Sequence, residues 1–202
     1  MKAGAQKYKI FLASSSPRRK YLFAMLLNNF GLKFEIKPAN IDEYIEVGSG
    51  NYSRYVKHLS YCKAESVSHT QKGVILGADT IVVIDSKILG KPRGNNDAKR
   101  MLNLLSGKWH KVYSGITIIN NMTSNIYSAC EVTRVKFRRL SEEEINFYIK
   151  TGSPFDKAGS YGIQDDFGST FVEKITGDYF NIVGLPIVKT YIGLKKVLKL
   201  NY

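Results

Sequence analysis

The stretch KIFLASSSPRR, residues 9–19, joins a short apolar run to a polar segment that can begin a helix. The run at residues 9–13 is typical of a buried strand. The serines at residues 14–16 can cap a helix, and Pro17 suits a first helical turn. Helical spacing then continues through a set of apolar residues, Leu22, Phe23, Leu26, Leu27 and Phe30. The stretch therefore predicts a strand that leads directly into a helix, as in α/β proteins.

The alternation of strands and helices continues along the chain. A second apolar run, VILGADTIVVID at residues 74–85, predicts a strand with two polar residues, Asp79 and Thr80, at its middle. Further helices are predicted at 52–67, 96–105, 141–150 and 187–200, and a hairpin of two strands at 111–120 and 126–137. We expect the last helix to present an apolar face of Val188, Tyr191, Leu194 and Leu198, with Lys189, Lys195, Lys196 and Lys199 on the opposite face. Together these elements predict an α/β fold with a mixed sheet.

The length and composition are those of an ordinary globular protein. A chain of 202 residues, 44% hydrophobic, can form one domain or two small lobes that share a core. The composition excludes a disordered, collagen-like or disulfide-rich protein. The N-terminal apolar run is too short for a signal peptide, and no stretch approaches the ~20 apolar residues of a membrane span. The two cysteines, Cys62 and Cys130, are predicted to be free and buried, which favours a cytoplasmic protein.

The net charge of +13 predicts a polyanionic partner. A phosphorylated small substrate, a nucleic acid and an acidic lipid all fit such a charge. The lysines can equally form a solvated surface. A basic nucleic-acid-binding module without catalysis is therefore the alternative to an enzyme, and it would need exposed aromatic residues between the basic ones. Most tyrosines and phenylalanines fall on predicted core faces instead.

Several common catalytic motifs are absent from the sequence. It contains no GxxxxGK[ST] phosphate loop, no HExxH and no GxSxG. The three histidines show no metal-ligand spacing. His58 and His69 are predicted to lie on a helix surface, and His110 is interpreted as a hydrogen-bonded core or edge residue. Zinc catalysis and a Ser-His-Asp triad are therefore disfavoured.

Two segments combine residues that could carry chemistry. The segment at residues 14–19 places serine hydroxyls, a helix N-terminus and two arginines together, which suits a phosphate chain but also fits a capped helix with solvated arginines. Asp79 interrupts an apolar strand, where an unpaired charge would be costly. It is a candidate general base or metal ligand, and it can equally be an aspartate that accepts hydrogen bonds from turn amides. Lys91 in a predicted loop and the acidic residues Asp42 and Glu43 could complete a site for metal-assisted attack on a polyphosphate.

A series of separate motifs gives these residues a family context. In order they are SSSPRR at 14–19, DE at 42–43, KA at 63–64, ADT at 78–80, LGKP at 89–92, SGKWHKV at 106–112, DKAGSYGIQ at 156–164 and GDYFNIVGLP at 177–186. With this ordered set the chain resembles the Maf family of nucleoside triphosphate pyrophosphatases over nearly its whole length. The resemblance implies a single domain over residues 1–202. Its fold would be a mixed, twisted sheet flanked by helices, with two lobes and a cleft, as in inosine triphosphate pyrophosphatases.

The resemblance also implies an activity and its cofactor. The activity is metal-dependent hydrolysis of a nucleoside triphosphate to the monophosphate and pyrophosphate, with Mg²⁺, Mn²⁺ or Co²⁺ as the metal. The S-P-R-R form at residues 16–19 resembles the branch that acts on dTTP and UTP, and CTP or modified pyrimidine nucleotides are further candidates. The branch acting on 7-methyl-GTP has an aromatic residue at the Arg18 position.

Individual roles follow from the resemblance position by position. Asp79 is implied to be the base that activates water and, with Glu43, a metal ligand. Phosphate contacts are implied for Ser14, Arg19, Lys63 and Lys91. The choice of base is implied to depend on Arg18, Thr80 and Gln164. A nucleoside triphosphate is the expected partner, without a membrane or nucleic acid, and the sequence leaves a homodimer open.

The chain departs from the family pattern at a few positions. Ser153 replaces a usual Glu, Ser160 a common Ala and Ser114 a common Thr, and residues 165–167 fill a stretch that is usually richer in glycine. These departures concern the fine tuning of substrate choice more than the type of reaction.

Overall fold

A computed structural model describes residues 8–41, 50–165 and 167–199. The strands are β1 Ile10–Leu12, β2 Glu35–Ile36, β3 Val74–Ile84, β4 Lys87–Leu89, β5 Trp109–Asn120, β6 Asn125–Phe137 and β7 Val172–Thr176. The helices are α1 Pro17–Asn28, α2 Tyr52–Ser68, α3 Asn95–Leu105, α4 Glu142–Lys150, α5 Tyr179–Val183 and α6 Ile187–Leu198. Short 3-10 turns cover Ser153–Asp156, Ala158–Ser160 and Gly168–Phe171. Most predicted elements are confirmed, whereas β4 and α5 were not predicted.

The strands form a mixed sheet, which confirms the predicted fold class. Their hydrogen-bonding order is β2-β1-β3-β5-β6-β7, and β4 pairs with β3. β1 runs parallel to both β2 and β3, with Phe11 opposite Glu35 and Ile75. The β3–β4 and β6–β7 pairs are antiparallel. Parallel neighbouring strands must be joined by a crossover connection. Helix α1 lies between β1 and β2 in the sequence, and α2 lies between β2 and β3.

The described residues divide into two compact units. The first takes its residues from Met1–Asp79, Ser114–Glu131 and Gly184–Tyr202, and the second from Thr80–Tyr113 and Val132–Val183. Three strands, β3, β5 and β6, therefore contribute segments to both units.

In the first unit, α2 lies against the strands at two glycines. A Cβ on Gly77 of β3 would stand 2.1 Å from the Ser60 carbonyl oxygen, and a Cβ on Gly115 of β5 would stand 2.2 Å from the Val56 carbonyl oxygen. Backbone therefore packs directly on backbone. The Ser60 and Thr117 hydroxyls meet at 2.9 Å beside these contacts.

The buried face of α6 differs in part from the predicted one, although Leu194 is buried as predicted. Its buried residues are Thr190, Gly193, Leu194 and Val197, whereas Val188 is 63% exposed. The reason is Gly193, which has Tyr127 and Ile118 so close that a Cβ would stand 2.4 Å and 2.8 Å from their side chains. The helix therefore turns the face that carries Gly193 toward the sheet. Lys189 on the predicted polar face is also not simply solvated, because it pairs with Glu131 at 3.1 Å.

The second unit has its own apolar core, built around α3, α4, β4 and the aromatic residues Phe137, Tyr148, Tyr161 and Phe171. The predicted capping box at the start of α4 is confirmed. Ser141 accepts a hydrogen bond from the Glu144 backbone N–H at 3.3 Å, and Glu144 accepts one from the Ser141 backbone N–H at 2.8 Å. Glu144 is also held by both terminal nitrogens of Arg138, at 3.0 Å and 2.7 Å.

The cysteines are free, as predicted, but both are half-buried rather than fully buried. His58 and His69 are exposed, as predicted. Within the part of the chain that the structure describes, no helix is long and apolar enough to cross a membrane.

His110 is a buried core histidine. It is 2% exposed, its Nε2 lies 2.8 Å from the Tyr161 hydroxyl, and its ring packs edge-on against Phe137. Its Nδ1 has no hydrogen-bond partner among the described residues. The prediction of a core histidine is confirmed. Burial lowers the pKa of His110 to about 3, because the imidazolium would lose its hydration in this position.

This burial makes stability depend on pH. The unfolded chain takes up the proton near pH 6.5 while the folded chain resists it down to about pH 3, so stability is fully present above pH 6.5 and falls as the pH drops. Between pH 7 and pH 5 we expect His110 to lower the free energy of unfolding by about 2 kcal/mol, and His110→Phe to lack that loss. Urea unfolding at both pH values measures it. His69→Gln, at an exposed histidine, is the control and should keep the parental pH slope; equal slopes in all three proteins would contradict the prediction.

Candidate active site

The segment between β1 and α1 is held by its serine side chains. Ser16 caps α1 by accepting a hydrogen bond from the Arg19 backbone N–H at 3.4 Å. Ser14 is buried, and its Oγ accepts from the Ser16 backbone N–H at 3.2 Å and from Arg19 Nη1 at 3.3 Å. These bonds fix the Arg19 guanidinium at the N-terminal end of α1, where the helix dipole favours anions.

Arg19 is also tied to the segment that precedes α6. Its Nε donates to the Gly184 carbonyl at 3.0 Å. Gly184 has a φ of 117°, a conformation that favours glycine. The motifs at residues 14–19 and 177–186 therefore meet at this hydrogen bond.

Asp79 forms a buried ion pair with Lys63. Its Oδ1 lies 2.6 Å from Lys63 Nζ, and the two side chains are only 10% and 9% exposed. Such a pair is stable only with close geometry, because each ion has lost most of its hydration. The predicted unusual position of Asp79, an acid inside an apolar strand, is confirmed, and its partner is a lysine on α2.

The packing of α2 on β3 explains this distance. Residues 77 and 79 point to the same side of β3, since side chains alternate along a strand. Gly77 brings α2 so close that a Cβ there would stand 2.7 Å from the Ala64 nitrogen. Lys63 precedes Ala64 on the helix, so the close approach at Gly77 places the lysine beside Asp79.

The lysine lies on the apolar stripe of its helix. The buried residues of α2 are Val56, Leu59, Ser60, Lys63, Ala64 and Val67. Lys63 follows Leu59 by four positions and Val56 by seven, which is the spacing of a core position. Sequence reasoning did not pair Lys63 with Asp79, although a lysine at a core position and an acid in a buried strand are the signals that could have done so.

Other predicted site residues fall in the second unit. Thr80 follows Asp79 directly on β3 and is half-buried. Lys91 is exposed and lies between Gly90 and the buried Pro92. The Gly90 carbonyl accepts a hydrogen bond from the Gly159 backbone N–H at 3.0 Å. The predicted rigid loop around Lys91 thus has an anchor on both sides.

Gln164 is exposed in a turn, and Arg18 on α1 of the first unit is half-buried.

The proposed metal ligands are only partly described. Asp42 and Glu43 lie outside the described residues. Within residues 8–41, 50–165 and 167–199, no cluster of three or more His, Cys, Asp or Glu side chains could hold a metal. A single carboxylate such as Asp79 still fits a hard cation like Mg²⁺, which binds through one or two carboxylates and completes its shell with water and substrate phosphates.

Comparison with known protein sequences places this geometry in context. A sequence model for a family described as "Maf-like protein" matches residues 9–197. The dTTP/UTP pyrophosphatase of Thermosipho africanus is 50% identical over 183 residues, which is 91% of this chain and 90% of that protein. The dTTP/UTP pyrophosphatases of Thermoanaerobacter sp. (93% of this chain, 96% of that protein) and Clostridium tetani (92% and 96%) are 48% and 47% identical.

Similarity to solved structures is weaker. The Ham1 protein of Staphylococcus aureus superposes with a TM-score of 0.46 at 9% identity, covering 64% of this chain and 71% of that one.

Proposed function

Because the chain belongs to the Maf family, we propose that it hydrolyses dTTP and UTP to the nucleoside monophosphate and pyrophosphate. The names of relatives that are 50% and 48% identical over most of the chain support this substrate pair. The observation that carries the proposal is the buried ion pair of Asp79 and Lys63 at 2.6 Å. It places a carboxylate and a cation together in the motifs that the family resemblance connects with catalysis and phosphate binding.

The triphosphate is assigned to the basic groups. Arg19 stands at the N-terminal end of α1, fixed by Ser14 and by the Gly184 carbonyl. The planar guanidinium charge and the positive end of the α1 dipole suit phosphate oxygens. Lys63 and Lys91 add two positive charges. These contacts strengthen as negative charge grows on the departing pyrophosphate.

Asp79 is assigned as the general base. The ion pair with Lys63 fixes one carboxylate oxygen, and the carboxylate accepts the proton of the water that attacks the α-phosphorus. Asp79 and Glu43 would hold a divalent metal, which supplies charge neutralisation for the phosphates when bound.

Base selection is assigned to Gln164, Thr80 and Arg18. The Gln164 amide carries both a donor and an acceptor, so it can pair with the O4 and N3–H edge of uracil or thymine. Arg18 offers no flat aromatic ring for a methylated, cationic guanine. CTP and modified pyrimidine nucleotides remain candidate substrates, since the amide of Gln164 can rotate to present its donor and acceptor in exchanged positions.

A nucleotide panel tests the proposal. We expect UTP and dTTP to give the highest kcat/KM among UTP, dTTP, CTP, GTP, ITP and 7-methyl-GTP, assayed as pyrophosphate release with Mg²⁺, Mn²⁺, Co²⁺ or EDTA. Gln164→Ala should lower the preference for UTP over GTP by roughly tenfold, the scale of one lost base contact. Highest activity on 7-methyl-GTP or ITP would overturn the substrate assignment, and a parental UTP-to-GTP ratio in Gln164→Ala would overturn the role of Gln164. Undiminished turnover in EDTA would overturn the metal assignment.

A further inference from the structure

A group of polar side chains in the second unit has no part in the proposed reaction. We call it the Asp165 cluster, and it consists of Tyr148, Ser153, Lys157 and Asp165. Asp165 Oδ2 accepts hydrogen bonds from the Tyr148 hydroxyl and the Ser153 hydroxyl, both at 2.6 Å. The same oxygen lies 3.3 Å from Lys157 Nζ.

Tyr148 and Lys157 of the cluster are buried, Ser153 and Asp165 are half-buried, and its charges are paired. Tyr148 is 1% exposed, and the side chains of Lys157 and Asp165 are 8% and 18% exposed. Lys157 Nζ also donates to the Ser153 carbonyl at 2.6 Å and to the Asp156 carboxylate at 2.7 Å. Burial and the bond to Asp165 raise the pKa of the Tyr148 phenol, so it stays a donor. A carboxylate this enclosed is held in one position, because leaving these donors unpaired would be costly.

The Asp165 cluster fixes a turn that contains Gln164. The Asp165 backbone N–H donates to the Gly162 carbonyl at 3.3 Å, which closes the turn at residues 162–165. The Tyr148 hydroxyl accepts a hydrogen bond from the Gly162 backbone N–H at 3.2 Å. A Cβ on Gly162 would stand 2.5 Å from the Asp165 carboxylate, so the carboxylate fills the space beside this glycine. Both ends of the turn are thus bound to the same cluster, while Gln164 between them is exposed.

We propose that Asp165 is a positioning residue for base selection. Its carboxylate accepts hydrogen bonds from Tyr148 and Ser153 and pairs with Lys157. These contacts hold the turn at 162–165 and thereby set the position from which Gln164 contacts the base. This inference rests on the proposed function, since it assumes that Gln164 contacts the base. Asp165 itself does not touch the substrate, and its effect is on discrimination between bases rather than on turnover.

Asp165→Ala tests the inference against a matched control. The control is Asp156→Ala, which removes the other carboxylate on Lys157, one that is 52% exposed and outside the turn. We expect Asp165→Ala to lower the UTP-over-GTP ratio of kcat/KM by about tenfold, below the ~100-fold that a misplacement of about 1 Å costs in a reacting group. The kcat for UTP should change by less than about threefold, because the phosphate contacts remain. Asp156→Ala should keep the parental ratio.

A second variant separates positioning from a purely stabilising role. Ser153 Oγ lies 2.6 Å from Asp165 Oδ2 and 3.2 Å from Lys157 Nζ, so a Glu at 153 can bring a carboxylate to the lysine. We expect Asp165→Ala to lower the thermal midpoint of unfolding and Ser153→Glu/Asp165→Ala to return it toward the parental value. The UTP-over-GTP ratio of kcat/KM should stay low in the double variant, because the turn at 162–165 is still not held by a carboxylate at 165. Recovery of both would overturn the inference and leave only a stabilising role.

Gln164→Ala distinguishes the two proposals. If it lowers the ratio while Asp165→Ala does not, only the positioning role is overturned. If Gln164→Ala keeps the parental ratio, the base contact and the positioning role are both overturned. Where Asp165→Ala does not fold, Asp165→Asn keeps an accepting oxygen for Tyr148 and Ser153 but loses the charge facing Lys157. The UTP-over-GTP ratio of kcat/KM in Asp165→Asn should fall measurably but by less than tenfold. A folded Asp165→Asn protein with the parental ratio overturns the inference.

Discussion

Asp79→Asn is expected to lose roughly 100-fold or more of the turnover with UTP, the scale of a lost general base. The amide has the shape of the carboxylate, so the strand geometry persists, but it cannot accept the proton of the attacking water. It also leaves the Lys63 ammonium without its carboxylate at 2.6 Å, so some stability is lost as well. Initial rates of pyrophosphate release at saturating UTP measure the effect, and urea unfolding shows that the variant is folded under the assay conditions.

Asp85→Asn is the matched control for that experiment. Asp85 follows β3, carries an exposed carboxylate paired with Lys108 at 3.5 Å, and has a φ of 47°, which asparagine also tolerates. Its turnover should equal that of the parent. If Asp79→Asn retained turnover within about threefold of the parent, Asp79 would not be the base and the ion pair would be structural.

Lys63→Met is expected to cost about 3–5 kcal/mol of stability, the penalty for leaving one buried ion without its partner. Methionine keeps an unbranched apolar stem of similar length, so the main loss is the charge that compensates Asp79. The free energy of unfolding from urea titrations measures it. Activity should also fall, since the proposed phosphate contact and the fixed orientation of Asp79 are removed together.

Two further variants test whether the loss comes from the buried pair. In Lys63→Met/Asp79→Leu both ions are gone, and we expect most of the stability to return while the enzyme stays inactive. Lys99→Met breaks a pair with Glu142 of the same 2.6 Å length, but with side chains 41% and 55% exposed. Loss of that surface pair should leave the free energy of unfolding nearly unchanged, because water screens exposed charges. A similarly small loss in Lys63→Met would mean that Asp79 is compensated by other groups.

Local patterns were sufficient to predict much of the fold. The strand at β1, the cap at Ser16 and the capping box at Ser141 each depend on neighbours within a few residues. The apolar stripe of α1 was predicted in the same way, and Leu22, Phe23, Leu26 and Leu27 are buried. Such features follow from helical and strand periodicity, which the sequence displays directly.

Features set by distant packing were not predictable in the same way. The face of α6 depends on how Gly193 meets Tyr127 and Ile118, which no pattern within the helix reports. β4 is only three residues long, and it follows a turn at Asp85 and Ser86, both with positive φ, that contains no glycine to mark it.

The candidate site shows the same division. Asp79 stood out because an acid inside an apolar strand is locally unusual. Its pairing with Lys63 joins residues from two elements, and only the packing of α2 on β3 at Gly77 brings them together. The hydrogen bond from Arg19 to Gly184 spans 165 positions and left no local signal. The predicted metal ligand Glu43 lies outside the described residues and stays a prediction.

The contacts of α2 at Gly77 and Gly115 have a consequence for how this sequence can change over evolutionary time. Because main chain meets main chain at both points, the spacing between helix and sheet does not depend on the size of any side chain there. Substitutions elsewhere in the core can accumulate and be absorbed by their own neighbours, while the separation of Lys63 from Asp79 is preserved. The distance between the two charged side chains is therefore expected to persist when other core residues change. Gly77 and Gly115 themselves tolerate no larger residue, because a Cβ at either position would clash with the α2 backbone.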